Sequence, residues 1–338
     1  MEERRLKLSV LDQSPINKNK TASEALSETT RLAELTDRLG YTRFWVSEHH
    51  NAESLAGTSP EILIAHLANH TQNIRVGSGG IMLPNHSALK MSENFRLLEA
   101  LYPNRIDMGI GRAPGTDRLT ASLLNPSNRF DEQDFIQQLY HLDNFFHDAD
   151  KKDTIYSKVK AYPSIPTVPH RWLLTSSGES GMIAAHFGMA LSYAQFINPH
   201  LGADVIQAYR KNFKPSEDLK TPQANVAIFA FCNEDEEVVR KQQALMDYRF
   251  IQLERGGGLA PVVYDDIKHM TYSEFELQRI QINRGRTLFA TPEIMKEKLI
   301  GLADDYGVGE IMLVTYAEKF EDRLHSYEIL ADMFQLGH

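Results

Sequence analysis

Residues 74–111 read IRVGSGGIMLPNHSALKMSENFRLLEALYPNRIDMGIG. Ile74–Leu83 is a β-rich apolar run, Ser87–Leu101 has helical spacing, and Arg105–Gly111 is a second apolar run. A strand, a helix and another strand in so short a stretch form a crossover unit, which makes the two strands parallel and the crossover right-handed. The same alternation extends in both directions. Before it come strands at Leu6–Leu11 and Phe44–Ser47, with a helix at Thr21–Leu39 between them. Thr21 and Glu24 form a capping box at that helix start, and Gly40 follows its end. Ser59, Pro60 and Glu61 open the helix before Ile74 with an N-cap and a first-turn proline. After it come strands at Arg171–Thr175, Met189–Tyr193, Asn225–Phe231 and Glu310–Thr315. Asn233 and Glu236 cap the helix after the seventh strand, Gly256–Gly258 stop it, and a last helix runs to about Gln335.

Eight strands, each with a helix, predict a closed (β/α)8 TIM barrel. Two long insertions interrupt the rhythm, one after strand 4 and one after strand 7. The first ends in YPSIPTVPH, where prolines impose an extended path. The second contains GGGLAPVVYDD and RIQINRGR. Long loops after barrel strands commonly act as lids, and the plain alternative is an excursion that packs on the surface. No repeat or linker divides the chain, so residues 1–338 are expected to form one domain.

The 338 residues carry 36 Lys and Arg against 45 Asp and Glu, a net charge of −9. That balance argues against nucleic acid and against an anionic membrane surface. One cysteine excludes an intramolecular disulfide and cysteine-based metal clusters. No apolar run is long enough to span a bilayer, and the N-terminus lacks a signal-peptide pattern, so a cytoplasmic location is expected.

Barrel chemistry sits where strands end. That rule selects Asp12, Gln13 and Ser14, then Glu48, His49 and His50, then Gly79 and Gly80, then Gly111 and Arg112, and finally Ser176–Ser180. Successive side chains on extended backbone point to opposite faces, so His49 and His50 do not share one ligand easily, which weakens a metal reading. One of them, with Glu48, suits proton transfer near neutral pH. A brace at the strand end is the plain alternative. Thr175–Gly181 (TSSGESG) places hydroxyls and glycines at a helix start, a phosphate-binding pattern to which Arg112 can add a forked cation. A serine-capped helix is the competing reading, and Glu179 opposes a phosphate unless it points away. Gly79 and Gly80 signal either close approach of a flat ligand or a β-bulge. HExxH, GxSxG and a Walker loop are absent.

Together, LDQSP, RFWVSEHHN, the 74–117 stretch ending GRAPGTD, RWLLTSSGESGMIAAHFG and the closing RTLFATPE…GVGEIMLVT resemble the bacterial luciferase-like flavin monooxygenases. The resemblance covers essentially the whole chain. It implies a barrel that holds FMN at its C-terminal mouth. There, reduced FMN and oxygen would oxidise a small organic substrate, the reduced flavin coming from a separate reductase. By motif, His49 matches the active-site histidine and Glu48 precedes it. Gly79 and Gly80 match a non-proline cis peptide against the flavin ring. Arg112, Ser176, Ser177 and Ser180 match the phosphate positions. The loop after strand 7 matches a mobile lid, in which Arg284 and Arg286 are candidate cations. Gly111 stands where light-emitting luciferases carry a cysteine, so luminescence is not expected. The family also implies a homodimer through the second and third helices. A flavin- or deazaflavin-dependent dehydrogenase, a non-catalytic FMN-binding protein and a metallohydrolase are the rival readings. Tyr193, Gln195 and Phe196 are candidates for the substrate pocket.

Overall fold

The computed structural model describes residues 6–257 and 260–337. Nine strands run in chain order: β1 (Lys7–Asp12), β2 (Arg43–Val46), β3 (Arg75–Met82), β4 (Ile106–Gly111), β5 (His170–Thr175), β6 (Ala190–Ala194), β7 (Ala224–Cys232), β8 (Thr287–Ala290) and β9 (Glu310–Val314). The helices are α1 (Ala22–Arg38), α2 (Pro60–His70), α3 (Ala88–Leu101), α4 (Arg118–Leu124), α5 (Glu132–Phe146), α6 (Gly178–Phe187), α7 (Gly202–Asn212), α8 (Glu236–Glu254), α9 (Tyr264–Ile267), α10 (Glu274–Asn283), α11 (Pro292–Tyr306) and α12 (Phe320–Met333). Each strand pairs in parallel with its neighbours. The sheet closes because β7 joins β6 on one side and β9 on the other, while β9 returns to β1. The result is the (β/α)8 barrel that the alternation predicts.

The chain contains one strand more than the sequence reading assigns. β8 lies inside the second insertion and pairs with the last four residues of β7. Phe229 faces both Val314 of β9 and Thr287 of β8, so β8 occupies the β6 side of β7, above the point where β6 has ended. The eighth barrel strand is therefore β9. The short run TLFA escaped notice because four residues before a proline-opened helix carry little periodicity.

Local signals mostly hold. Thr21 and Glu24 make the capping box, and Gly40 follows α1 with φ +83°. α2 starts at Pro60, but Ser59 makes no side-chain cap. The cap of α8 is Asp235, which accepts from the Glu237 N–H, while Asn233 accepts from the Asp235 N–H. α8 ends at Glu254, and Gly256 follows with φ +77°. Gly258 and Leu259, part of the GGGLAPVVYDD motif, lie outside the described residues.

Alternation sorts the strand side chains into two sets. Leu8, Val10, Phe44, Val46, Met108, Ile110, Leu191, Val226, Ile228, Ile311 and Leu313 face the helices and join the large outer core. Leu11, Trp45, Trp172, Ala190, Ala227, Phe229, Met312 and Val314 face the axis. The N-terminal end of the barrel is closed by charges. Arg43 bridges Asp107 at 2.7 Å and Glu310 at 2.6 Å, and Arg75 reaches Asp107 at 2.7 Å. Ser9 and the Trp45 indole donate to Glu310 and Asp107. With this end plugged, access to the interior is from the C-terminal mouth. Among the described residues, no helix is long and apolar enough to cross a membrane.

Candidate functional site

β2 ends at Val46 with Arg43 and Trp45 on the axis side. The same alternation, carried on past the strand, puts Ser47 and His49 toward the mouth and Glu48 on the other side. His49 is half-buried, and its Nδ1 lies 3.1 Å from the Ser47 hydroxyl. Its backbone N–H donates to the Gly57 carbonyl at 3.0 Å. Burial lowers the His49 pKa below its usual 6.5, against the opposing pull of Glu48. The imidazole is therefore neutral at pH 7, with one nitrogen to donate and one to accept.

Glu48 is fully buried. Its carboxylate accepts from the Met82 N–H at 2.8 Å and from Asn85 Nδ2 at 3.1 Å, and lies 2.9 Å from both His86 Nε2 and His50 Nε2. Those donors outweigh desolvation and hold its pKa below 4.5, while Glu48 raises His86 above 6.5 despite burial. Glu48 thus ties the end of β2 to the turn after β3 and fixes the backbone that carries His49. The sequence reading paired Glu48 with His49 and overlooked His86, although PNHS sits in the same quoted stretch. The missed signal is spatial, because the turn after β3 lies beside the end of β2.

The Gly79–Gly80 peptide is cis, and the β3–β4 register shifts between Gly79 and Ile81. The register shift is the irregularity that the bulge alternative predicts. A Cβ on Gly80 would come within 2.9 Å of the Gly109 carbonyl oxygen, and one on Gly79 within 2.7 Å of Leu11 Cδ1 and 3.1 Å of Trp45. Close packing of the chain's own atoms is enough to require glycine at both positions.

Arg112 follows β4, and Ser176, Ser177 and Ser180 follow β5. Thr175 Oγ1 accepts from the Ser177 N–H and donates to the Ser177 carbonyl, which folds the corner before α6. Ser177 is the N-cap residue of α6, yet its side chain makes no cap bond. Ser180 is buried, and the Cβ position of Gly178 meets nothing within 4 Å. Gly178 is exposed, with open space at its Cβ position, and stands in the first turn of α6 at the positive end of a helix, an arrangement suited to a phosphate. Arg112 spans the gap to this helix and pairs with Glu179 at 2.9 Å. Glu179 is largely exposed and turned toward the guanidinium, not into the backbone nest.

The substrate-pocket candidates separate. Phe196 lies edge-on to Phe229 at 5.3 Å, at the mouth. Tyr193 faces the outer core, where its hydroxyl donates to the Asn198 carbonyl. Gln195 is held by the Gly285 carbonyl and the Tyr306 hydroxyl. In the second insertion Val262 and Ile267 pack on Leu245 of α8, and Lys18 pairs with Asp266. Arg284 pairs with Asp247 at 2.8 Å. Arg286 lies over the Phe250 ring at 5.4 Å. Gln13 accepts from the Tyr316 hydroxyl. Tyr316, two residues beyond Val314, shares its inward face and stacks on Phe229 at 5.6 Å. Arg249 covers Tyr316 at 5.2 Å. Arg249, Phe250 and Tyr316 escape a reading confined to strand ends, because two of them stand on α8.

His49, the Gly79–Gly80 peptide, Arg112 and the start of α6 therefore stand in or just after four consecutive strands, β2 to β5. The family model described as luciferase-like monooxygenase matches residues 6–308. The chain is 44% identical to YwcH of Bacillus subtilis over 97% of this chain and 98% of that one. It is 32% identical to the N-acetyl-S-alkylcysteine monooxygenase of Bacillus subtilis, again over 97% and 98%. The crystal structure of apo-MsnO8 superposes with a TM-score of 0.89 at 32% identity, covering 98% of this chain and 99% of the other. Barrel, mouth and sequence agree, and the chain belongs to the luciferase-like monooxygenases.

Proposed function

We propose that this protein is a flavin-dependent monooxygenase that takes reduced FMN from a separate reductase and oxidises a small organic substrate. The observation that carries the reading is the inward-turned, neutral His49 on the same mouth as the open N-terminus of α6. The α6 amides, the hydroxyls of Ser176, Ser177 and Ser180, and Arg112 fit the flavin phosphate. The Gly79–Gly80 peptide of β3, which carries no side chain of its own, would lie beside the flat ring. Reduced FMN, when bound, would supply the two electrons that divide dioxygen between product and water. His49 would hold or pass a proton beside the reacting atoms. Glu48 is a positioning residue that fixes His49 through the backbone. The second insertion, packed over β7 and β9, would exclude water. Exposed Ile62 on α2, with Leu97 and Leu101 on α3, favours pairing of two subunits through those helices.

The test is an anaerobic titration with reduced FMN followed by an oxygen pulse, in wild type, His49→Ala and Arg112→Ala. Wild type should bind the flavin and reoxidise it at a rate different from free FMN. His49→Ala should bind equally but change that rate and raise hydrogen peroxide release. Arg112→Ala should weaken binding roughly tenfold or more, the usual worth of one charge-assisted hydrogen bond. Reoxidation at the free-flavin rate in all three proteins would refute the reading.

A further inference from the structure

Two and three strands round the barrel from β5, which leads into α6, aromatic rings on β7 and after β9 lie under two guanidinium groups. Phe229, on the inner face of β7, stacks on Tyr316 and meets Phe250 edge-on at 5.9 Å. Arg249 covers the Tyr316 ring at 5.2 Å and Arg286 covers the Phe250 ring at 5.4 Å. Phe229, Phe250 and Tyr316 keep only 6–7% of their surface exposed.

Arg249 is the unusual member. It is 9% exposed, and among the described residues it forms no hydrogen bond and no ion pair within 4.0 Å. Glu318, whose charge reaches Arg249, gives one carboxylate oxygen to the Tyr264 N–H and makes no ion pair with Arg249. Arg286 is half-buried, and its Nε has no partner. Glu254 attracts Arg286 but is bound by Arg279 and Asn283. Elsewhere the chain pairs its buried guanidinium groups. Arg43 meets two carboxylates, and Arg323 meets Asp12 at 2.8 Å. A charge taken out of water without a partner is costly, and burial lowers the pKa of both Arg249 and Arg286. Such a group, above aromatic rings in a mouth, marks a ligand position.

We infer that Arg249 is a substrate-anion site, and that the substrate is a small carboxylate on an apolar arm. The guanidinium fork matches a carboxylate in two parallel hydrogen bonds. The exposed edges of Phe229, Phe250 and Tyr316 take the arm. Arg112 follows β4 and α6 follows β5, two to four strands from β7 and β9, so flavin phosphate and substrate anion would not compete for one cation. The inference rests on the mouth being the substrate face of the proposed monooxygenase.

The experiment uses hexanoate and hexanamide, equal in shape and different in charge, in calorimetric titrations of the full chain, alongside an FMN titration. Wild type should bind hexanoate at least tenfold more tightly than hexanamide. Arg249→Met should weaken hexanoate roughly tenfold to a hundredfold and leave hexanamide and FMN within about twofold. Arg249→Met should also melt higher than wild type, since it removes an unpaired buried charge. If Arg249→Met does not fold, Arg249→Lys, which keeps the charge and loses the fork, should still lower hexanoate affinity selectively. Equal binding of the two probes by wild type, or no binding of either, overturns the inference. So does unchanged hexanoate affinity in Arg249→Met, or a loss there of FMN alone, which would assign the guanidinium to the flavin phosphate. Charge-selective hexanoate binding in a protein that ignores FMN would instead refute the flavin reading and leave the anion site standing.

Discussion

Glu48 and His49 are neighbours in sequence with opposite tasks, and the difference is one of parity. His49 continues the inward series Arg43, Trp45, Ser47, while Glu48 turns outward into four donors. Glu48→Gln should therefore act on stability first. It removes the charge opposite His86 and sets an amide N–H against donors. We expect a loss of about 2 kcal/mol, at the low end for a broken buried pair because His86 can shed its proton. The pH window follows from the two shifts. Glu48 titrates below 4.5 in the folded protein, so its contribution is complete above 4.5 and lost as pH falls through the folded value. His86 titrates above 6.5, so its contribution is complete below 6.5 and lost as pH rises through the folded value. The gap in melting temperature between wild type and Glu48→Gln should be widest between pH 4.5 and 6.5. The His86 imidazole, followed by NMR, should titrate lower in the variant. A gap that grows above pH 7 would contradict this assignment.

At the scale of elements, α2 and α3 carry apolar side chains on the wrong face for a solvated helix. Ile62 is 69% exposed, Leu97 52% and Leu101 58%. α2 also borders a largely apolar groove of about 750 Å3, shared with α1 and lined by Leu26, Ile62 and Leu63. A patch of this kind is more often covered than wet. Sedimentation equilibrium should give twice the chain mass for wild type. Ile62→Glu with Leu101→Glu should shift it to the single-chain mass, with the barrel's circular dichroism unchanged. A wild-type monomer would remove the proposed interface. Elements of this length were legible in the sequence because helix caps and apolar periodicity are local signals. α1 follows its capping box within one residue, and α3 ends at Leu101 as expected. Less legible was whatever depends on a second element. β8 is recognisable only once β7 is known to outrun β6. Likewise, Arg249 reads from sequence as one more cation on a charged helix. Only the packing of α8 above Tyr316 shows that it lacks a carboxylate partner.

For the whole molecule, the barrel separates stability from chemistry by placing them at opposite ends. The C-terminal mouth holds the half-buried His49, the uncapped α6 and the unpaired Arg249, features that weaken a fold. The N-terminal end holds a satisfied ionic plug that links β1, β2, β3, β4 and β9 through Ser9, Arg43, Arg75, Asp107 and Glu310. Asp107 is completely buried, yet Arg43 and Arg75 hold its pKa below 3.8. Asp107→Asn keeps the shape and the Trp45 contact but leaves Arg75 without a carboxylate and Arg43 with Glu310 alone. A buried pair broken in this way costs roughly 3–5 kcal/mol. For a chain of this size that corresponds to a fall in melting temperature on the order of 10 °C. Flavin and hexanoate affinities, measured well below the transition, should change by less than about twofold, because distant sites add independently. The opposite pattern, intact stability with lost ligand binding, would mean that the plug shapes the mouth through the strands. Arg249→Met and Asp107→Asn should therefore move melting temperature in opposite directions. The double variant should melt near the sum of the two shifts, the signature of two ends that do not communicate.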